Sequence, residues 1–305
     1  MISKRVNISD VAREAGVSSQ TVSRALNNKG EISAETRERV LEIVRQLGYR
    51  PNTLARGLVT QKTSTLGLVV PDIANPFFSE VARGAEDAAH AAGYSLLLCN
   101  AMEDPEREME ALRTLEAQRV DGILLCSSRL SEQNLAALLT RLPPVVLANR
   151  EPTTDGVHSV SIDDEYGARA AVKHLLDSGR RKIGLLAGPR ASRSGICRSQ
   201  GYKAALSEAG YPINPALIAP CAPTLDGGHD TAIALLARHP EIDALLCYND
   251  LVAVGALQAA AALGKRAPED VAVIGFDDIP LAALVTPALT TLRSDRRLLG
   301  MEIVR

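Results

Sequence analysis

The sequence predicts an α/β protein with a small three-helix headpiece at its N-terminus and a larger, two-lobed body of parallel sheets. Three observations carry this expectation. Residues 7–48 break into three short helical patterns separated by capping and turn residues. From residue 65 onward, short apolar runs alternate with helical stretches, the pattern of parallel strands buried on both faces. The charge also divides: residues 1–62 hold 11 Lys+Arg against 6 Asp+Glu, whereas the other 243 hold 23 against 30. A basic head on an acidic body makes the overall net charge of −2 a poor guide to either part.

The first helix is expected to start after Asn7, with Asp10 three residues on completing a capping box, and to bury Val11, Ala12 and Ala15. Gly16 permits a sharp turn, and Ser18 caps a second helix reaching about Asn27. Val22, Ala25 and Leu26 face inward on that helix, leaving Ser19, Gln20, Thr21, Ser23 and Arg24 on the other side. This outward face has no Asp or Glu, unlike an ordinary solvated face that mixes both signs. Gln and Arg make bidentate contacts with base edges, and Ser and Thr make adaptable ones, so the face suits a nucleic-acid groove. Ser33 caps a third helix whose Val40, Ile43, Val44 and Leu47 close a small core, and Gly48 ends it.

The run from Ile8 to Arg56 resembles the headpiece of the lactose-repressor-type (LacI/GalR) bacterial transcription regulators. The resemblance rests on D-V-A-R-E-A-G-V-S-x-x-T-V-S-R-A-L-N, on S-x-x-T-R-x-x-V, and on G-Y-x-P-N-x-x-A-R-x-L. It implies that Ser19, Gln20 and Arg24 read bases in the major groove and that Asn27, Ser33 and Thr36 hold phosphates. It also implies a hinge helix over Asn52–Val59 lying in the minor groove, with Leu58 as the wedge between base steps and Ala55 beside it.

In the body, T-L-G-L-V-V is followed by a helix from about Phe78 to Ala92, then Y-S-L-L-L-C, a helix from about Pro105 to Gln118, and G-I-L-L-C. A helix from Ser131 to Leu139 leads to V-V-L-A and then S-V-S-I. Next come a helix from Glu165 to Ser178, K-I-G-L-L-A, and helices from about Arg198 to Ala209 and Gly228 to Ala237. A-L-L-C-Y, a helix from Asp250 to Leu263, V-A-V-I-G-F and a helix beginning near Asp295 complete the series. A faint echo links residues 82–94 with 199–211, each a helix ending in Ala-Gly-Tyr, and favours two similar lobes over one sheet. The motifs P-D-I-A-N-P-F-F, V-D-G-I-L-L, D-D-E-Y-G-A, Y-N-D-L-V-A-V-G-A and V-A-V-I-G-F-D-D…P-A-L-T-T-L extend the resemblance across the chain, to the family's periplasmic-binding-protein-like core. The expected domains are a helix-turn-helix headpiece over 1–50, hinge helix and linker over 51–62, and an effector-binding and dimerisation core over 63–305. Lobe 1 is expected to hold about 63–162 and 291–305, and lobe 2 about 163–290.

In open α/β sheets ligands bind beyond the carboxyl ends of the strands, and two facing lobes make the gap between them the site. The strand ends are followed by Pro71–Phe78, Asn100, Ser127-Ser128, Asn149-Arg150, Asn249-Asp250 and Asp277-Asp278. Phe77 and Phe78, two of only three phenylalanines, fall at this rim, and the third, Phe276, directly precedes Asp277. Such a lining suits a small polar, hydroxyl-bearing molecule. The resemblance implies that Arg198 clamps the effector, that Asn249 and Asp277 contact it from lobe 2 and Asn149 from near lobe 1, and that Ser194 makes a minor contact. Many relatives carry an acid where Asn149 stands. Helix capping for Asn249-Asp250, a turn for Asp277-Asp278 and a structural role for Arg150 are the competing readings.

No phosphate-cradling glycine loop or nucleophile elbow appears, and the five histidines are scattered. The expectation is a regulator, not an enzyme, with no cofactor and no metal. The five cysteines lack metal-ligand spacing and read as free thiols, with Cys99, Cys126 and Cys247 as small buried hydrophobes. No secretory leader opens the chain and no apolar run is long enough to span a bilayer, so a cytoplasmic location is expected. The partners implied are double-stranded operator DNA, a sugar-like or other polar effector, and a second copy in a homodimer. The competing class is a solute- or sugar-binding receptor with an incidental helical head, against which the absent leader and the basic head both count. The resemblance also implies further chain beyond the R-R-L-L-G-M-E-I-V-R segment, as if the C-terminus were truncated.

Overall fold

The computed structural model describes residues 6–27, 32–49, 62–152 and 155–305. The chain forms two compact units, Met1–Thr63 and Ser64–Arg305. The expected hinge helix, with Ala55 and Leu58, lies outside the described residues.

In the first unit, α1 (Ile8–Ala15), α2 (Ser19–Leu26) and α3 (Ala34–Gln46) form where the capping residues place them. Asn7 accepts from the backbone N–H of Asp10, and Asp10 accepts from that of Asn7, so two otherwise orphaned donors are satisfied reciprocally. Gly16, at φ +65°, turns α1 sharply into α2. Val11, Val22, Ala25 and Val40 are fully buried between the three helices. Leu26, Ile43, Val44 and Leu47, expected inside, are half-buried around that centre.

The second unit holds two five-stranded, all-parallel sheets. The first comprises β1 (Thr65–Val70), β2 (Ser95–Asn100), β3 (Gly122–Cys126), β4 (Val145–Ala148) and β5 (His158–Val160), in the order β2-β1-β3-β4-β5. Its connections are α4 (Pro76–Ala91), α5 (Pro105–Ala117) and α6 (Glu132–Leu139). The second comprises β6 (Ile183–Leu186), β7 (Ile218–Ala219), β8 (Ala244–Cys247), β9 (Ala272–Asp277) and β10 (Thr290–Arg293), in the order β7-β6-β8-β9-β10. Here α7 (Asp164–Asp177), α8 (Arg193–Glu208), α9 (Leu225–Arg238) and α10 (Asp250–Ala262) supply the connections.

The two lobes therefore share one winding. The repeated Ala-Gly-Tyr stops belong to α4 and α8, which occupy equivalent places between the first and second strands of each sheet.

Two boundaries differ from the expectation. Thr290–Arg293 pairs with β9, so the last strand of lobe 2 extends past residue 291, where lobe 1 was expected to resume. Lobe 1 resumes with α11 (Arg296–Glu302), which packs along α4 and buries Leu299 and Ile303. These two helices touch backbone to backbone: a Cβ on Gly84 would strike the carbonyl of Arg297, and one on Gly300 that of Val81. Arg297 Nη2 also bonds Asp87 Oδ2 at 2.5 Å along this seam. The other difference is α8, which begins at Arg193, five residues before its expected start. Cys126 and Cys247 are buried as expected, whereas Cys99 is only half-buried on the edge strand β2. No described helix is long and apolar enough to cross a membrane.

Candidate functional site: a headpiece face and an interlobe cleft

On the headpiece, α2 presents Gln20 and Asn27 to solvent, with Ser19, Thr21, Ser23 and Arg24 half-buried along the same helix. Several hydroxyls already serve local order. Ser18 Oγ accepts from the N–H of Thr21 and lies 2.9 Å from its hydroxyl, and Ser33 does the same for Thr36 at the start of α3. Asn27 Nδ2 donates to the Ser23 carbonyl, which fixes the end of α2. Ser18 and Ser33 thus leave two helix N-termini exposed, each carrying a partial positive charge that suits a phosphate.

In the second unit, the strand ends of both lobes converge on one narrow cavity. Seven of the eight expected effector residues line it: Phe77, Phe78, Asn149, Ser194, Arg198, Asn249 and Asp277. Phe276 does not line it. Its ring lies 3.6 Å beneath the Arg198 guanidinium instead, a cation–π platform that orients the arginine. Phe77 and Phe78 meet edge to face at 5.0 Å and form the apolar wall contributed by α4.

Arg198 is the centre of the polar wall. It comes from the buried face of α8, with Ser194 one turn before it and Tyr202 one turn after it. Its side chain binds Asp164 at 2.8 Å, donates to the carbonyl oxygen of Tyr248, and approaches Asp277 Oδ1 at 3.5 Å. A buried arginine without such partners would carry a prohibitive desolvation cost. Asp277 Oδ1 is itself buried without a hydrogen-bond partner. Burial raises the Asp277 pKa to about 8, against the opposing pull of Arg198, with Asp250 and Asp164 adding repulsion. Asp277 therefore places an unmet oxygen beside the cavity and holds its proton more tightly than an ordinary aspartate.

The amides divide their two ends between scaffold and cavity. Asn249 Oδ1 caps α10 through the N–H of Val252, Asn149 Oδ1 accepts from Ile162, and Asn75 Oδ1 accepts from Phe77. Each oxygen is committed to backbone, which leaves the NH₂ ends as the groups to offer a ligand, although Asn249 Nδ2 also makes a long contact, 3.5 Å, with the Pro223 carbonyl. Ser127, Asn149 and Asp277 have positive φ values of 47°, 51° and 111°, a concentration of backbone strain at a single cavity.

Sequence reasoning missed three lining residues, Glu103, Pro223 and Tyr248; Asn75 and Ser127 lie in the strand-end segments it named, without a role of their own. Tyr248 is the first residue after β8, so the rule of looking just past strand ends points to it. Glu103 is held at the rim by Arg129, through Nε–Oε2 and Nη2–Oε1 distances of 2.6 and 3.0 Å. Behind them the buried Glu108 accepts from the Ser128 hydroxyl and from the N–H of Arg129. Burial nevertheless raises its pKa. Asp250, read as a helix-cap neighbour, accepts instead from Ile279 N at 2.7 Å and the Thr291 hydroxyl at 2.5 Å, tying α10 to β10. Arg150 is structural, donating to the Leu130 carbonyl. Asn100 does not line the cavity; its side chain accepts from Ile73.

A basic helix-turn-helix unit joined to two equally wound α/β lobes around a polar cleft defines a ligand-responsive regulator architecture. Comparison with known proteins agrees. Residues 7–52 match the family described as "Bacterial regulatory proteins, lacI family". Residues 63–305 match "Periplasmic binding proteins and sugar binding domain of LacI family". The chain is 38% identical over 287 residues to catabolite control protein A of Priestia megaterium, covering 94% of this chain and 86% of that one. It is also 38% identical over 284 residues to a ribose operon repressor of Halalkalibacterium halodurans, covering 93% and 84%. Among solved structures, the Lac repressor dimer bound to operator and an anti-inducer superposes with a TM-score of 0.89 at 30% identity, covering 99% of this chain and 91% of that one. A CelR–cellobiose complex superposes with a TM-score of 0.73 at 33% identity, again covering 99% and 91%. The chain belongs to the LacI family of bacterial transcription regulators, a family of DNA-binding proteins and not of enzymes.

Proposed function

We propose that this regulator acts as a repressor that binds a palindromic operator as a homodimer, under the control of a small polar, sugar-like ligand held between the lobes. The observation that carries the reading is the Arg198 constellation. A buried cation on an aromatic platform, beside an unsatisfied carboxyl oxygen and three amide donors, is costly for stability alone and suits a hydroxyl-rich ligand. Ser19, Gln20, Thr21, Ser23 and Arg24 meet base edges, while Asn27, Ser33 and Thr36 meet phosphates. Ala55 and Leu58 act at the minor groove. The ligand contacts are Phe77, Phe78, Asn149, Ser194, Arg198, Asn249 and Asp277, with Phe276 acting through Arg198.

Exposed Leu97 and Leu98 on the edge strand β2, with exposed Met102 just beyond it, support self-association through lobe 1. Ligand and DNA affinities are then reciprocally linked, because a ligand that changes the angle between lobes changes the spacing of the paired headpieces. With DNA as partner, the working location is the cytoplasm. The test is selection from random duplex DNA followed by sequencing. Enrichment of a two-fold symmetric site, its half-sites about one helical turn apart, supports the reading. Enrichment of only asymmetric sites refutes the paired-headpiece geometry.

A further inference from the structure

We infer that Tyr248 sets the size limit of the cleft and restricts it to a ligand of one sugar ring, an inference that rests on the cleft being the ligand site. Relatives leave the size open, since one solved relative is a cellobiose complex and another relative is named as a ribose operon repressor. Tyr248 is where this chain closes the question. It follows β8 directly and lines the cavity, yet it is buried.

Its ring seats over the bare backbone of α8 and the loop before it. A Cβ on Gly188 would collide with the ring, and one on Gly195 would stand 3.4 Å from it. Gly188 also has φ +72°, so both its conformation and its lack of a side chain serve this seat. The hydroxyl lies 2.8 Å from Ser192 Oγ, the residue that caps α8. Arg198 lies 5.1 Å from the ring centroid and donates to the Tyr248 carbonyl, so backbone and ring are pinned together.

All of these seats belong to lobe 2, so the ring travels with that lobe and opening the cleft does not remove it. From lobe 1, Arg129 reaches it as well. Burial opposes the Arg129 charge, but interactions with Tyr248 and Glu103 outweigh it and raise its pKa. What remains between the ring and the opposite wall is a narrow space, with the Phe77 and Phe78 rings on its apolar side.

The test compares the full chain with Tyr248→Ala and Tyr248→Phe by thermal shift and calorimetry. The probes are ribose, glucose and galactose against cellobiose, maltose and lactose. The wild type is expected to respond to a single-ring sugar and to none of the disaccharides. Tyr248→Phe is expected to keep that order. Tyr248→Ala is expected to bind the single-ring sugar about tenfold or more weakly and to gain a disaccharide response. A wild type that binds any disaccharide as tightly as its best monosaccharide overturns the inference, as does a folded Tyr248→Ala with unchanged size preference. If no probe binds wild type or variant, the sugar-binding reading of the cleft falls and this inference falls with it. Binding that is abolished by Arg198→Ala but has the wrong size order leaves that reading standing and sinks only the role of Tyr248.

Discussion

Replacing Asp277 by Asn removes a carboxyl whose proton the fold retains to about pH 8, whereas in an unfolded chain an aspartate loses its proton near pH 4. Between those values the native state holds one proton more than the unfolded state. A raised acid contributes its stability fully below about pH 4 and loses it as pH climbs toward about 8. The slope of that loss is about 1.4 kcal/mol per pH unit, so Asp277 alone costs the fold roughly 3 kcal/mol between pH 5 and 7. Asn is close in shape and cannot ionise. The variant is therefore expected to overtake the wild type as pH rises, with a stability difference that grows along that slope. Asp250, whose pKa burial raises to about 6, adds its own slope to both proteins and largely cancels in the difference. The assay is urea unfolding at half-unit steps from pH 5 to 7.5. It is followed by far-ultraviolet circular dichroism, because the chain has no tryptophan to report by fluorescence. A wild-type-minus-variant difference that stays flat across this range would refute the reasoning: Arg198 would then be holding Asp277 ionised.

Other perturbations test other parts of the molecule. Arg198→Ala leaves Asp164 buried without its partner and is expected to cost about 3–5 kcal/mol in chemical denaturation. Gly300→Ala inserts a methyl against the Val81 carbonyl. It should lower the denaturation midpoint by the equivalent of about 1–3 kcal/mol, although alanine is the better helix former. Ser18→Ala removes the cap of α2 and is expected to cost the headpiece about 1 kcal/mol. In DNA titrations, affinity should fall linearly on a log–log plot against salt. Gln20→Ala should relax base preference at one position of each half-site, by about 1–3 kcal/mol.

The architecture was legible because its determinants are local. Asn7, Ser18, Ser33, Ser131 and Asp295 each cap the helix that follows, as single residues can. The early start of α8 was hidden because its first two turns face the cleft, where Ser194 and Arg198 interrupt the apolar periodicity by which helices are read. The last strand, β10, was hidden for a similar reason: Thr290 and Arg293 are exposed at the edge of the sheet, so its four residues look like loop. In the site, strand ends and family likeness led to Arg198, Asn249 and Asp277. Neither led to the partners that make Arg198 tolerable. Asp164 is 34 residues away in sequence, and Phe276 points under the arginine, not into the cavity. Glu103 and Arg129 come from different turns of lobe 1 and become a pair only when β2 and β3 lie on either side of β1.

The seam between α4 and α11 has a bearing on how the chain is made. Its two helices are separated by some two hundred residues, and all of lobe 2 lies between them. Emerging from a ribosome, lobe 2 is one uninterrupted stretch from α7 to β10 and can close on itself at once. Lobe 1 must wait with the α4 groove between Val81 and Ala85 uncovered until Gly300 arrives to fill it. During that interval the half-built lobe presents an apolar trough to every other nascent chain nearby, which makes it the part of the molecule with most need of a chaperone.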